Sequence, residues 1–311
     1  MKDGDMIDCV DIHKQPAFDN PLLKNHKIQV NLNCYRCPKG SVPIRRTSIE
    51  ELIGAESFSK SIMLSHDEDP VIPYRGFKAD VKIENPSSVE KDQQSASLLW
   101  LESGTTDNFT TIQAGWMVAP TIFGDSGTHI FALWRDGPEN GCLNLQCTGF
   151  IQVSGSTYVG MRFEHVSEYG IPDILAVTIF VHQDAKTGNW WLTVHGSETA
   201  DVGYWPQEVV PYLCSGVQYI AWGGLVKFPP DTTKSPPMGN GQLPDGDITK
   251  VSAMWNLQYV DQNYNLQFPI DYFFHQTNVD KSNCYDLIYN DENWDPKWGF
   301  NFFSGGPGGD C

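Results

Sequence analysis

Beyond Ser97, apolar and polar residues alternate in short runs, each closed by Gly, Pro, Asn or Asp. Such runs predict strands at Ser97–Glu102, Thr111–Val118, His129–Trp134, Phe150–Val153, Ile174–His182 and Trp190–His195. After a break rich in proline and glycine the pattern resumes at Gln218–Val226 and Val251–Val260. Along Trp190–His195 the alternation runs residue by residue, which predicts one buried and one wet face. No long helical period separates these strands, so an antiparallel β-sandwich or barrel is expected. A propeller or solenoid would need self-similarity at about 20–50 residues, and none is present.

The first part of the chain reads differently. Ser48-Ile49-Glu50-Glu51 has the form of a capping box, and Leu52, Ile53, Phe58 and Ile62 make one imperfect apolar stripe. Together they predict a helix. His66-Asp67-Glu68-Asp69-Pro70 reads as an exposed linker, dividing the chain into a segment of residues 1–69 and a domain of residues 70–311. Lys227–Gly246 is expected to be one long loop, of the kind that is functional or mobile.

Composition narrows the function classes. Hydrophobic residues form 40% of the 311, enough for a sizeable core, and charged residues only 19%. With 28 glycines and 20 prolines, this suits an all-β domain with many turns. The net charge of −17 argues against a nucleic-acid partner, which needs clustered cations. The longest apolar run, Ile174–Val177 extended through Thr178 to Val181, is too short to cross a bilayer as a helix. No membrane partner is expected.

Eight cysteines point to an oxidising compartment. Cys142 and Cys147 flank four residues and are expected to close a small loop as a disulfide, while the pattern offers Cys214 no partner. Asn108-Phe109-Thr110 is a glycosylation sequon with Asn108 as acceptor. Met1–Asp5 has no apolar signal region, so a secreted protein whose signal segment lies upstream of this chain is expected.

Several strings imitate catalytic motifs. Gly124-Asp125-Ser126-Gly127-Thr128 resembles both the serine loop of trypsin-like enzymes and the tetrapeptide of pepsin-like ones. The first needs a continuation that Ser304-Gly305-Gly306-Pro307 supplies only far away. The second needs another such aspartate to share a proton. A turn is the reading taken. Histidine and cysteine spacing offers no complete metal site, Cys34-Tyr35-Arg36-Cys37 being at most half of one. No phosphate-cradling loop is present either, so neither metal nor cofactor is expected.

Longer strings carry a family resemblance. Lys14-Gln15-Pro16-Ala17-Phe18-Asp19-Asn20-Pro21-Leu22-Leu23-Lys24-Asn25-His26 and Cys37-Pro38-Lys39-Gly40-Ser41-Val42-Pro43-Ile44-Arg45-Arg46-Thr47 occur early. Ile112-Gln113-Ala114-Gly115-Trp116-Met117-Val118, Gly149-Phe150-Ile151-Gln152, Gly203-Tyr204-Trp205-Pro206, Trp222-Gly223-Gly224 and Met238-Gly239-Asn240-Gly241 follow. Over nearly its full length the chain resembles the plant neprosin family. That resemblance implies a jelly-roll-like antiparallel β-sandwich, preceded by a propeptide-like activation segment covering a cleft. It also implies a secreted, glutamic, proline-directed endopeptidase working at acid pH without a cofactor. Pairings of Cys142 with Cys147 and of Cys284 with Cys311 belong to the same implication.

Such chemistry uses two apposed acid or amide side chains. A carboxylate takes a proton from water, and its partner polarises the scissile carbonyl. The resemblance carries the two family glutamates onto Gln113 and Leu225, both substituted here. Glutamine can still donate to an oxyanion, but leucine can neither accept nor donate. The glycine pair before Leu225 is expected to let the backbone approach a ligand, with Leu225 facing Gln113 across the cleft. Impaired catalysis is therefore expected. The alternatives are an active post-proline peptidase pairing Gln113 with Glu102 or Glu198, and a pseudopeptidase that binds peptide or cell-wall polymer. In each case Trp116, Tyr204, Trp205 and Trp222 are the expected stacking residues, and a monomer is expected.

Overall fold

Alternation with period two governs the structure as it governs the sequence. The computed structural model describes residues 7–29, 37–45, 58–66, 73–105, 107–232, 234–269, 275–289 and 297–310, with backbone alone for 58–66, 275 and 276. In chain order the strands are β1 (Ile7–Asp11), β2 (Ser41–Arg45), β3 (Phe58–His66), β4 (Gly76–Lys82), β5 (Gln94–Thr105), β6 (Asn108–Val118) and β7 (His129–Asp136). They continue as β8 (Asn140–Leu143), β9 (Ile151–Gln152), β10 (Ala176–Gln183), β11 (Trp190–His195), β12 (Thr199–Trp205) and β13 (Tyr219–Phe228). The last are β14 (Lys234–Ser235), β15 (Ser252–Val260), β16 (Leu266–Gln267), β17 (His275–Val279), β18 (Asp286–Tyr289), β19 (Phe302–Gly305) and β20 (Gly309–Asp310). A single helical turn, α1 (Pro120–Phe123), follows β6.

Two large sheets form. One has seven strands in the order β17-β3-β13-β5-β6-β7-β8; the other runs β18-β19-β15-β4-β10-β11-β12-β9, with β16 beside β15. Every pairing among the described residues is antiparallel. Phe77, Ala79 and Val81 of β4 and Val177, Ile179 and Val181 of β10 are buried in the same core cluster as Ile112, Ala114 and Trp116 of β6. The Phe77 and Trp222 rings meet 5.8 Å apart, and the Trp116 indole N–H donates to the Lys82 carbonyl at 2.8 Å, joining the sheets. Each such large apolar side chain contributes roughly 1.5–3 kcal/mol on burial. The sandwich expected from the sequence is the observed fold.

The first segment docks by three kinds of contact. Gln15 is 2% exposed, and its side-chain amide pairs with the backbone of Gln152, donating to the carbonyl at 2.9 Å and accepting from the N–H at 2.8 Å. Because β9 is the last strand of its sheet, one glutamine thereby imitates the next strand and closes an open edge. Arg45 donates to the carbonyls of Ile122 and Phe123, which α1 leaves unpaired where it ends at Gly124 in a left-handed conformation (φ 76°). His26 Nε2 lies 2.9 Å from the Tyr204 hydroxyl. The β1–β2 hairpin is tied by the disulfide Cys9–Cys37.

Two expectations need correction. Phe58 and Ile62 lie on strand β3, not on a helix; Ser48–Ile53 falls outside the described residues. Two ladders, nine register pairs to β13 and five to β17, satisfy this backbone better than one weak stripe satisfies a helix. The loop expected at Lys227–Gly246 begins inside β13 and is fastened midway by β14, which pairs with β20. Strand β3, which ends just before the division expected at residue 69, pairs with β13 and β17 within the seven-stranded sheet. Protease nicking within residues 67–72 should therefore leave the N-terminal fragment co-eluting with the remainder on native size exclusion, even under reduction. Its spontaneous loss would show that β3 is not integral.

Candidate functional site

Strands β5, β6, β7 and β13 turn one face to the core and the other outward. Gln113 stands on the outer face of β6, 8% exposed, paired in register with Trp100 of β5, which pairs in turn with Ala221 of β13. The residue two strands across from Gln113 is thus Ala221, about 10 Å away. Leu225 shares this face but is in register with Ala96 and Met117, four residues further along β13. That displacement is about 14 Å along the strand, so Leu225 is not in the row of Gln113. Glycine at 224 answers a different demand. A Cβ there would come 2.3 Å from the Met238 sulfur on the core side, so the glycine makes room for Met238 rather than for a ligand.

Trp116 and Trp222 lie three residues from Gln113 and Leu225, an odd spacing that puts them on the opposite face. Both are fully buried between the sheets. Tyr204 and Trp205 belong to β12 of the other sheet and are equally buried. Trp205 packs against Phe150 with ring centroids 4.8 Å apart, and Tyr204 accepts from the Gln29 N–H at 3.2 Å. Burial pushes the Tyr204 phenol up to about 12. None of the four is open to a ligand in this structure. Among the described residues of β5, β6, β7 and β13, Trp100 and Tyr219 are half-buried on the outer face, and Phe131 shares that face but is buried.

A carboxyl stands close by. Glu102 of β5 is two residues beyond Trp100 and on the same face, which makes it the diagonal cross-strand neighbour of Gln113, about 7–8 Å away. The Trp100 indole N–H donates to Glu102 Oε2 at 3.3 Å. Burial raises the Glu102 pKa, against the smaller effects of that hydrogen bond and of Arg135. Glu198 lies exposed where β11 turns into β12, on the other sheet, and is not brought to Gln113.

The remaining sequence candidates are placed as follows. Asp125 accepts from the Gly127 N–H at 2.5 Å and lies 3.1 Å from His129 Nε2, closing a turn. Cys142 and Cys147 form a disulfide. Cys284 is disulfide-bonded, whereas Cys311 lies outside the described residues, as does the pairing expected between them. Cys214 is an exposed free thiol, and Asn108 is exposed at the start of β6. No cluster of three metal-ligating side chains occurs among the described residues. No helix among them is long and apolar enough to cross a membrane.

Residues 91–307, which include the whole Gln113–Trp100–Ala221 row, match the family model described as Neprosin. The chain belongs to the neprosin family. Residues 1–36 match the neprosin activation peptide, so the segment that docks through Gln15 and His26 is the activation peptide of a neprosin-family protein. Among solved structures the chain is similar to scytalido-glutamic peptidase with a transition-state-analogue inhibitor, at 8% identity and a TM-score of 0.45, over 80% of this chain and 98% of that one. It is also similar to SCP-B, an eqolisin-family peptidase in complex with a tripeptide, at 10% identity and a TM-score of 0.42, over 80% and 98%.

The sequence reading missed Ala221 and the Trp100 bridge. Residue parity carried half of that information, since Gln113 and Trp116 cannot share a face of one strand. The other half is register, which no local string encodes.

The activation peptide itself carries a pH-dependent contact. Burial lowers the His26 pKa below 6.5, opposed by the charge of Glu208. A histidine lowered in the folded state stabilises its contact when neutral, fully above about pH 6.5, and loses that contribution as pH falls through the folded value. The exchange protection of the Gln29 amide should therefore drop between about pH 7 and pH 5, relative to β10 amides. His26→Leu should remove the drop. Equal pH dependence in the variant would show that His26 is not the group responsible.

Proposed function

We propose that this chain is a secreted, glutamic-type, peptidase-like protein that holds proline-containing peptide on the outer face of the seven-stranded sheet and hydrolyses it poorly. The observation behind this reading is the row Gln113–Trp100–Ala221, which has an amide at one end and a methyl group at the other. The Gln113 amide can donate to a scissile carbonyl as it becomes an oxyanion. Nothing at Ala221 can take the proton of an attacking water. Loss of a general base typically costs about 10²–10⁴ in rate. Leu225, the family glutamate position by string matching, supplies no base either.

The four rings expected to stack on proline or sugar are buried and favour neither ligand; peptide is preferred because the Gln113 amide is a donor suited to a scissile carbonyl. Secretion is supported by the Cys9–Cys37 and Cys142–Cys147 disulfides and by the activation peptide match. Proline direction rests on family membership.

The test is an acid-pH assay on proline-containing peptides with the whole chain and its variants. Ala221→Glu should raise cleavage after proline by about tenfold or more, and Ala221→Gln, of equal size, should not. Burial raises a new carboxyl, so the gain should appear below about pH 5. If Leu225→Glu restores activity and Ala221→Glu does not, string matching rather than register locates the acid. Rapid cleavage by the unmodified chain would overturn impairment.

Glu102 supports a second reading, in which it serves as the base for Gln113. Its diagonal position sets a carboxyl near Gln113, and burial raises its pKa above the ordinary value. On this reading any activity of the unmodified chain should fall by about 10²-fold or more in Glu102→Gln, without loss of peptide binding. An unchanged rate would remove Glu102 from consideration.

A further inference from the structure

The face that carries Gln113 also carries a cation that has no partner among the described residues. Lys227 lies on β13 with the same parity as Ala221 and Leu225, so its side chain rises from the outer face, half-buried. Its register partner on β5 is Gln94, also half-buried and on the same face. Directly opposed residues of this kind have Cβ atoms about 5 Å apart, so the two side chains leave the sheet side by side.

Other buried or half-buried cations among the described residues are engaged. Lys82 Nζ contacts Glu84 at 2.8 Å and donates to the Val251 carbonyl at 2.8 Å; Arg75 donates to Gln183 at 2.7 Å; Lys78 donates to Gln258 at 3.3 Å. Among the described residues no hydrogen bond or ion pair engages Lys227 or the Gln94 side chain. Burial lowers the Lys227 pKa, and the Arg135 charge acts in the same direction, so the neighbouring charge is of like sign. A desolvated ammonium without a partner is costly, and its retention calls for an anion that arrives with a ligand.

We propose that Lys227 and Gln94 form an anion subsite of the peptide-binding face and receive a carboxylate of the bound peptide. The ammonium supplies the charge, and the Gln94 amide adds a donor to the second carboxylate oxygen. On a chain of net charge −17, which repels acidic peptides at long range, such a site selects where a carboxylate sits. The carboxylate is either the peptide's C terminus or an acidic side chain. This proposal rests on the reading of the outer face as peptide-binding.

Calorimetric titration of the full chain near pH 6 separates the cases. Three proline-containing peptides of equal length serve as probes: one with a free C terminus, one amidated, and one amidated with an internal Glu. Wild type should bind one or both carboxylate peptides about tenfold more tightly than the neutral one. Lys227→Met should lose that preference, Lys227→Arg should keep it, and Gln94→Leu should weaken it. Preference for the free C terminus alone identifies the main-chain carboxylate, and preference for internal Glu the side chain. Equal binding of all three peptides by wild type would overturn the subsite and leave the peptide-binding face intact. Failure to bind any of them would overturn both.

Discussion

The register between β5, β6 and β13 is the constraint on which the rest of this molecule depends. Once Trp100 pairs with Gln113 and with Ala221, every outward group on three strands has a fixed row. The core has its rows fixed at the same moment, because a slip of one residue would exchange Trp116 and Trp222 with Gln113 and Leu225. The hydrophobic energy of burying two tryptophans therefore guards the geometry of the outer face, which they never touch.

The core is not purely apolar. Lys82 and Glu84, 1% and 2% exposed, form a buried pair at 2.8 Å, and the Ser252 hydroxyl donates to the same carboxylate. Burial raises the Glu84 pKa, and the Lys82 charge and hydrogen bonds to Lys82 and Ser252 oppose it. Removing one partner of such a pair typically destabilises by about 3–5 kcal/mol, since the other charge is left buried alone. The pair joins the end of β4 to the start of β15, beside the Lys82 carbonyl that receives the Trp116 indole. Polar and apolar contacts thus converge at one end of the sandwich.

Much of the fold was legible because strands announce themselves locally. Predicted runs such as Thr111–Val118 and Val251–Val260 coincide closely with β6 and β15, and the alternation read in Trp190–His195 is observed except at Thr193, which is buried as well. Strand β3 was not legible, since its stability comes from partners more than 150 residues away. The site divides along the same line. Gln113 could be singled out from its string, but the residue across from it could not, because facing depends on pairing between distant segments. The aromatic candidates failed for a related reason: composition says that tryptophan is present, and only parity says which side of a strand it takes.

Strand β3 has a consequence for how the chain reaches its folded state. Its neighbours β13 and β17 are made long after it, so the seven-stranded sheet cannot close while the chain is emerging. Pairings of such long range are slow to form, and until they do β13 presents a bare edge able to pair with another molecule. A segment near the beginning of the chain is thus the closing piece of a sheet finished near its end. Production of shortened forms that begin after His66 would remove that piece, and misassembly rather than lost catalysis would be their first defect.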